Sequence, residues 1–519
     1  MKFKTVLQNL PNKACTGRWG FCGIFEHFSG FEFFLLPNIV HARPSASNAN
    51  RWAARDAESE KRNMNTKAWI AIVSILVLGI CISGCGAGQL PRPSATPVPS
   101  STPTSPLSPT PSATKTSSLS SGSEISKVKP ITPSALSNLP DMFPSIQSPP
   151  KVTNFGRGKL DSVPTYDPNS DQMWQMDLRA YDLSGLDLRN SGGDLLYADF
   201  DSQTIWPSQE KMPPDFDWQK IMEMGKNPGL GIRQLHGVGV TGRGVGIAII
   251  DQPLLVEHQE YAGQLRLYES DNLSPDWTEA SIHGPAVASI AVGKTVGVAP
   301  DADLYYIATD MCNPTGAFEE NDYSCLAHSV RRVLEINNLL PQDRKIRVIS
   351  ISAGWEQDSK GYDEITAATK EAKDAGLLVI CSNVEEIHGF KFQALGREPL
   401  ADPDKYESYQ PGLWWAKQFY NGGFDFSNTL LVPMDSRTTA SPGGADEYVF
   451  YREGGWSWSI PYIAGVYALA AQVKPEITPN EFWRLALQTG QTIELKQNGI
   501  LYELGTILDP IALITELQR

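Results

Sequence analysis

From residue 244 onward, short apolar runs rich in β-branched residues alternate with longer helical patterns. This alternation constrains the fold more than any other feature of the sequence. The strand-like runs cover residues 244–250, 302–307, 346–351 and 377–380. The helix-like stretches, either amphipathic or rich in Ala, cover residues 285–292, 329–340, 365–375 and 461–473. Strands and helices that alternate at this spacing predict an α/β fold, a parallel β-sheet with helices on both faces.

Polar residues follow two of these predicted strands. Asp251 comes directly after the run 244–250, and Asn383 comes shortly after the run 377–380. In parallel sheets, ligands bind beyond the carboxyl ends of the strands. We therefore expect a functional site that contains Asp251 and Asn383.

The composition excludes two classes of protein. The 519 residues include 44 Lys and Arg against 58 Asp and Glu, which gives a formal net charge of −14. Nucleic-acid binding needs a surplus of basic residues on one face, so no nucleic-acid partner is expected. The 7 cysteines are too few for a disulfide scaffold of this length.

A secretory signal is predicted at residues 64–84. A short basic start precedes the apolar run 68–82, which is shorter than the span of about 20 residues that crosses a membrane. Its ending, Ile-Ser-Gly before Cys85, resembles the lipobox of bacterial lipoproteins. The resemblance implies cleavage before Cys85, a lipid on its thiol and an extracytoplasmic location at the cell membrane. An uncleaved anchor helix is the alternative.

Two further segments near the front have no predicted core. Residues 1–63 precede the signal, and we interpret them as a spurious extension of a chain that naturally starts at Met64. Residues 85–152 are dominated by Pro, Ser and Thr and are predicted to form a disordered, extended stalk. A Pro-rich ligand for an aromatic-lined groove is the alternative interpretation.

Residues 153–230 contain a short repeat with a period of five. Asp-Leu pairs occur at 177–178, 182–183 and 187–188, and the pattern resumes at 194–195 and 199–200. The repeat resembles a pentapeptide-repeat coil, in which every fifth apolar residue stacks inward; chance dipeptides in a loop are the alternative. The segment precedes the α/β region, so it is either a retained brace or an inhibitory pro-segment.

Five ordered blocks of residues 231–519 resemble the subtilisin-like serine peptidases (subtilases). The blocks that carry the resemblance are GRGVGIAIID at 242–251, HGPAVA at 283–288, GVAP at 297–300, VISISAG at 348–354 and GWSWSIPYIAG at 455–465. The last block aligns without gaps on that family's GTSMASPHVAG, and Cys-Ser-Asn at 381–383 stands where the family has Ala-Gly-Asn.

The resemblance implies a role for each candidate catalytic residue. Ser457, and not Ser459, is the nucleophile; His283 is the base that accepts its proton. Asp251 orients the imidazole, and Asn383 donates to the oxyanion. Serine hydrolysis needs these groups, because the hydroxyl is a weak nucleophile until an oriented imidazole takes its proton.

The resemblance also implies a binding site for an extended peptide, along Ser352, Ala353 and Gly354. Main-chain recognition of a peptide or protein substrate is therefore expected.

The chain departs from the family pattern beside these residues. Pro253 replaces a Gly after the aspartate, and Trp456 and Trp458 flank the nucleophile where the family has Thr and Met. None of these changes removes a group that the mechanism needs, so we predict an active serine endopeptidase. Two alternatives stay open: a peptide-binding protein on the same scaffold, and a hydrolase of non-peptide esters or amides.

Three further expectations concern the rest of this domain. The aromatic-rich insert 386–453 shapes a cleft, caps the site or belongs to the core. Cys312 and Cys325 are close enough in sequence to form a disulfide. No metal-ligand spacing is present and no cofactor is predicted; calcium is frequent in the family, but no residue of this chain is assignable to such a site.

Overall fold

The computed structural model describes residues 112–113, 125–170, 172–275, 277–313, 320–423 and 426–519. The predicted extension 1–63, the signal 64–84 and the lipidated Cys85 lie outside the described residues. Within them, no helix is long and apolar enough to cross a membrane.

The helices, in chain order, are α1 (Gly192–Leu195), α2 (Trp218–Gly225), α3 (Ile232–Gly237), α4 (His283–Val292), α5 (Tyr323–Leu339), α6 (Tyr362–Asp374), α7 (Val384–His388), α8 (Leu413–Tyr420), α9 (Trp456–Val473), α10 (Pro479–Thr489) and α11 (Pro510–Leu517). Short 3-10 helices occupy Ile125–Lys127, Gln209–Lys211, Gln342–Arg344 and Tyr406–Ser408.

The strands are β1 (Ser112–Ala113), β2 (Ser145–Ile146), β3 (Gly158–Lys159), β4 (Tyr181–Asp182), β5 (Phe200–Asp201), β6 (Gly246–Asp251), β7 (Leu265–Ser270), β8 (Asp303–Ala308), β9 (Ile346–Ser350), β10 (Leu378–Ile380), β11 (Lys391–Arg397), β12 (Tyr409–Pro411), β13 (Thr429–Pro433), β14 (Arg437–Ala440), β15 (Tyr448–Tyr451), β16 (Gln491–Gln497) and β17 (Ile500–Ile507).

The main sheet is parallel throughout and has the strand order β10-β9-β6-β8-β7-β2. The central strand β6 is buried on both faces because its side chains alternate between two apolar clusters. Ile247 and Ile249 face the cluster that contains α4 and α9. Ala248 and Ile250 face the cluster that contains α5 and α6. The predicted parallel sheet with helices on both faces is therefore confirmed.

A second sheet is mixed and has the order β1-β16-β17-β13-β11-β12. Strands β11, β13 and β17 run parallel, whereas β16 and β12 pair antiparallel with their neighbours. The aromatic-rich insert supplies β11, β12 and β13, so much of it is core. Trp415 is fully buried and packs on Phe419.

Residues 153–230 fold against the main domain. The apolar residues that follow the repeated aspartates are buried together in one cluster: Leu178, Leu183, Leu188, Leu195 and Phe200. Successive rungs of this segment pair in parallel, Lys159 with Asp182 and Asp182 with Ile205. The inward stacking of every fifth apolar residue agrees with the predicted coil, while its assignment as a pentapeptide repeat stays a prediction.

The structure differs from the predicted linker in the last part of 85–152. From residue 125 onward the chain packs on the domain, and β2 forms an edge of the main sheet beside β7. Val128 and Phe143 are buried in the two main clusters. Isolated apolar residues such as these are difficult to recognise within a sequence rich in Pro and Ser. Composition therefore placed the end of the linker too late, at residue 152.

Candidate active site

The Asp251–His283 pair lies at the carboxyl end of the main sheet. Asp251 is the last residue of β6, and His283 is the first residue of α4. The ring nitrogen Nδ1 of His283 donates to Asp251 Oδ1 over 2.7 Å. Both side chains are largely buried, with 13% and 5% of their surface exposed for His283 and Asp251 respectively. A buried carboxylate that accepts from Nδ1 leaves Nε2 as the nitrogen that can accept a proton.

The turn after Asp251 brings the aspartate strand against the histidine helix. Gln252 donates its backbone N–H to Asp251 Oδ1 over 2.8 Å. A Cβ on Gly284 would lie 2.5 Å from the Gln252 carbonyl oxygen and 2.9 Å from that of Pro253. Only glycine allows this approach, so the unusual Gln252-Pro253 turn depends on the Gly that follows His283.

Ser457 lies in the first turn of α9, which begins at Trp456 and not at residue 461 as predicted. Pro461 suggested a helix start, because proline favours the first turn. The N-cap is Gly455, the residue before the helix, whose extended backbone has φ −129° and ψ 176°. Within the described residues no side chain caps this helix end, so the first-turn amides can face an anion.

The Ser457 hydroxyl is nearly buried and donates to the carbonyl oxygen of Ser352 over 3.5 Å. In the described part of the chain, no hydrogen bond joins this hydroxyl to His283. The beginning of α9 nevertheless lies beside His283, because the ring of Trp458, the residue after Ser457, is 5.4 Å from the His283 ring, centroid to centroid.

Asn383 lies close to this site, and its side-chain amide is hydrogen-bonded to the backbone of Trp355. Its amide Nδ2 donates to the Trp355 carbonyl over 2.8 Å, and its Oδ1 accepts from the Trp355 N–H over 2.9 Å. Nδ2 carries a second hydrogen, which this pair leaves available. The adjacent thiol of Cys381 is fully buried, and burial raises its pKa to about 12, so it is a neutral, inert group.

The predicted peptide-binding residues 352–354 follow β9 and contact both Ser457 and Ser382, the residue before Asn383. Ser352 is paired with Ser457, and the Ala353 carbonyl accepts from the Ser382 N–H over 3.0 Å. The Gly354 carbonyl accepts from the Tyr323 hydroxyl over 2.8 Å. The structure thus brings together all seven residues predicted in this region; the lipidation site Cys85 lies outside the described residues.

Sequence reasoning missed Asp435, a buried carboxyl group that binds the turn before Ser457. It is fully buried and accepts from the backbone N–H groups of Gly454 and Leu413 over 2.8 and 2.9 Å. Burial raises its pKa to about 7, although the bond from Gly454 and the charge of Arg452 act in the opposite direction. Asp435 follows β13, so the strand-end rule that selected Asp251 would have selected it too.

Two half-buried indoles pack together beside Ser457, that of Trp456 next to it in the chain and that of Trp414 from the aromatic insert. Trp456 is half-buried, donates to Gln393 Oε1 over 2.7 Å and packs edge-on against Trp414. Trp414 is also half-buried, unlike its neighbour Trp415. The insert therefore contributes both to the core and to the wall beside Ser457.

The disulfide between Cys312 and Cys325 is present, as predicted. The described residues contain no cluster of three or more His, Cys, Asp or Glu side chains that would hold a metal ion.

A sequence profile of the subtilase family (Peptidase_S8) matches residues 242–506, just over half of the chain. The chain belongs to the subtilase family. This subtilase is accordingly a serine peptidase in general terms, and peptides or proteins are its substrate class.

Two solved structures are similar to the subtilase in fold. The Prenylagaramide maturation protease PagA has 16% sequence identity, a TM-score of 0.38 and coverage of 55% of this chain and 98% of its own. The self-cleaved protease domain of PatA has 18% identity, a TM-score of 0.35 and coverage of 54% and 98%. Both likenesses are too distant to carry an argument about substrate or mechanism.

Proposed function

We propose that the protein is a membrane-anchored, extracytoplasmic serine endopeptidase that cleaves peptide bonds with Asp251, His283 and Ser457. The observation that carries this proposal is the buried Asp251–His283 hydrogen bond of 2.7 Å beside the N-terminal turn that holds Ser457. A surface histidine paired by chance would not be buried against a carboxylate next to an uncapped helix end.

The proposed reaction begins when His283 Nε2 removes the proton from Ser457 Oγ. Oγ attacks the carbonyl carbon of the substrate, and the π bond electrons move onto the carbonyl oxygen. The imidazolium then gives its proton to the leaving amine, and the C–N bond breaks. Water repeats the sequence on the acyl-enzyme, and Asp251 stabilises the imidazolium in both steps.

The oxyanion is bound by the first amides of α9 and by the second N–H of Asn383. Such donors are each worth about 3–4 kcal/mol of transition-state stabilisation in serine peptidases. The bond between Asn383 and Trp355 orients this donor without using both of its hydrogens. The chemistry of these four residues needs no cofactor, and we include none in the proposal.

Substrate binding would change the partner of the Ser457 hydroxyl. Its present bond to the Ser352 carbonyl is long, at 3.5 Å, and therefore weak. A peptide that pairs with residues 352–354 competes for that carbonyl. Rotation about the Cα–Cβ bond of Ser457 then turns the hydroxyl towards His283.

A fluorophosphonate probe tests this assignment directly. We expect it to label the purified protein and the Ser459→Ala variant but not Ser457→Ala. Ser459 is the matched control because its hydroxyl is also buried and bonds only weakly, to the Pro433 carbonyl over 3.5 Å. A folded protein that stays unlabelled would contradict the proposal and favour a peptide-binding protein on this scaffold.

Two measurements test the substrate and the anchor. Profiling on a peptide library beside simple esters is expected to show cleavage of peptides; turnover of esters alone would indicate a different hydrolase. Mass spectrometry of the mature protein is expected to find an N-terminal Cys85 that carries lipid. An uncleaved peptide across residues 84–85 would contradict the lipoprotein assignment.

A further inference from the structure

Of the four residues before Trp456, the first two are held by residues from the segment 153–230. We call residues 452–455 the nucleophile turn, because they connect β15 to the helix of Ser457. The turn begins where β15 pairs antiparallel with β5, with Val449 opposite Asp201 and Phe450 opposite Phe200. The segment thus completes the small sheet from which the turn departs.

The first residue of the turn, Arg452, is anchored on this segment through both backbone and side chain. Its N–H donates to Asp199 Oδ1 over 2.7 Å, and its Nε donates to the Leu196 carbonyl over 2.9 Å. The guanidinium also lies over the ring of Tyr197, 5.1 Å from the centroid. Arg452 is completely buried, so its charge and donors need partners; the segment supplies these three, and Glu398 and the Arg397 carbonyl bind the rest of the guanidinium.

The second residue, Glu453, is held by a single tryptophan of the segment. Its carboxylate accepts from the Trp174 backbone N–H over 2.9 Å, and its carbonyl oxygen accepts from Trp174 Nε1 over 3.0 Å. The next residue, Gly454, is bound from the opposite side by Asp435. Three consecutive residues therefore have fixed partners before the chain reaches Ser457.

An aromatic contact path also joins the segment to the histidine. Arg179 donates to the Tyr451 hydroxyl over 3.3 Å, and the Tyr451 ring packs edge-on against Trp458, with centroids 5.1 Å apart. Trp458 contacts the ring of His283. Both partners of the proposed proton transfer are thus supported by the segment.

We propose that residues 153–230 are a permanent part of the catalytic unit, in which Trp174 and Asp199 are positioning residues for the nucleophile turn. The inference rests on the proposed role of Ser457. A removable pro-segment leaves a complete enzyme behind. Removal of this segment would instead take away the acceptors of the Arg452 N–H and Nε, while Glu398, Ser436 and the Arg397 carbonyl stay, and would expose the apolar residues of β15.

The test compares Trp174→Phe with Trp206→Phe in the full chain. Trp174→Phe loses the indole donor to Glu453 but keeps an aromatic ring and the backbone bond. Trp206 belongs to the same segment, and its Nε1 is buried without a partner in the part of the chain that the structure describes, so the same substitution there removes no hydrogen bond seen in it. Two readouts are measured: the rate constant of fluorophosphonate labelling at saturating probe, and hydrogen exchange of the peptide that covers residues 450–458.

We expect Trp174→Phe to slow labelling about threefold to tenfold relative to the control, the factor of one ordinary hydrogen bond. Hydrogen exchange in the turn should be faster in this variant only. The probe concentration that gives half of the maximal labelling rate should be unchanged. Equal behaviour of the two variants would overturn the inference, and so would faster labelling in Trp174→Phe, which would indicate an inhibitory segment.

The two readouts also separate this inference from the proposed function. If the natural sequence is not labelled at all, the role of Ser457 fails. Faster exchange confined to Trp174→Phe would then still support the positioning of the turn, whereas unchanged exchange would overturn that as well.

Discussion

Ser352 and Ser457 exchange two hydrogen bonds, each through a hydroxyl and a backbone carbonyl. Ser352 Oγ donates to the Ser457 carbonyl over 3.1 Å, and Ser457 Oγ donates to the Ser352 carbonyl over 3.5 Å. Pro461 explains the first bond, since it lies four residues after Ser457 and has no N–H to bind that carbonyl within the helix. The Ser457 carbonyl, which has no partner within the helix at Pro461, therefore bonds to Ser352, one of the predicted peptide-binding residues.

Replacement of Ser352 by Ala should lower the free energy of unfolding by about 1 kcal/mol, because the buried Ser457 carbonyl loses its donor. Urea unfolding measures the change. Ser350→Ala is the matched control: Ser350 is the last residue of β9, two residues before Ser352, and its Oγ is buried without a partner among the described residues, so its loss should be neutral or stabilising. Equal destabilisation by the two variants would contradict the role of the Ser352 bond.

Asn383→Ala should lower kcat by about 100-fold or more with little change in KM, as expected when an oxyanion donor is lost. Asn337→Ala is a close control. Asn337 exchanges the same two bonds with the backbone of Ile346, as donor over 3.1 Å and acceptor over 2.9 Å. Both variants should lose similar stability, so a comparable loss of activity in Asn337→Ala would show that only stability is involved.

Asp435 should make the protein less stable as the pH rises. Burial raises its pKa from 3.8 to about 7, so the folded state disfavours the ionised carboxyl. The loss of unfolding free energy caused by ionisation of Asp435 is absent below pH 4 and grows between pH 4 and 7. Above pH 7 it is constant, on the order of 4 kcal/mol. Unfolding free energies measured across this range should fall less steeply with pH in Asp435→Asn. An unchanged slope would show that Asp435 is ionised in the fold at low cost.

His388 should have the opposite effect on stability over almost the same pH range. Burial lowers its pKa from 6.5 to about 4, so the folded state holds the neutral ring. Stability is therefore lost as the pH falls from 6.5 to 4, by at most about 3 kcal/mol. His388→Phe keeps the stack on Phe390 and should abolish this acid sensitivity. The exposed His328, replaced by Phe, serves as the control and should retain it.

The main sheet and the candidate site were predictable because local sequence patterns indicate them. β-branched runs marked β6, β8, β9 and β10, and polar residues at strand ends marked Asp251 and Asn383. The resemblance of residues 455–465 to the subtilase motif supplied Ser457, although the beginning of its helix was misplaced because Pro461 favours a helix start.

The other features of the fold and of the site depend on long-range packing, which no local sequence pattern indicates. Trp174 and Asp199 act on residues about 250 or more positions later, at sequence separations of 279 and 253. The fold of residues 125–152 rests on a few anchors in a Pro-rich stretch. The state of the Asn383 side chain is set by the backbone of Trp355, which no motif identifies.

The buried contact between Leu196 and Arg452 spans 256 positions of the chain. During synthesis from the N-terminus, the partners of β5 emerge only after most of the polypeptide has left the ribosome. The chain therefore reaches its final topology late, and a high proportion of distant contacts makes that step slow.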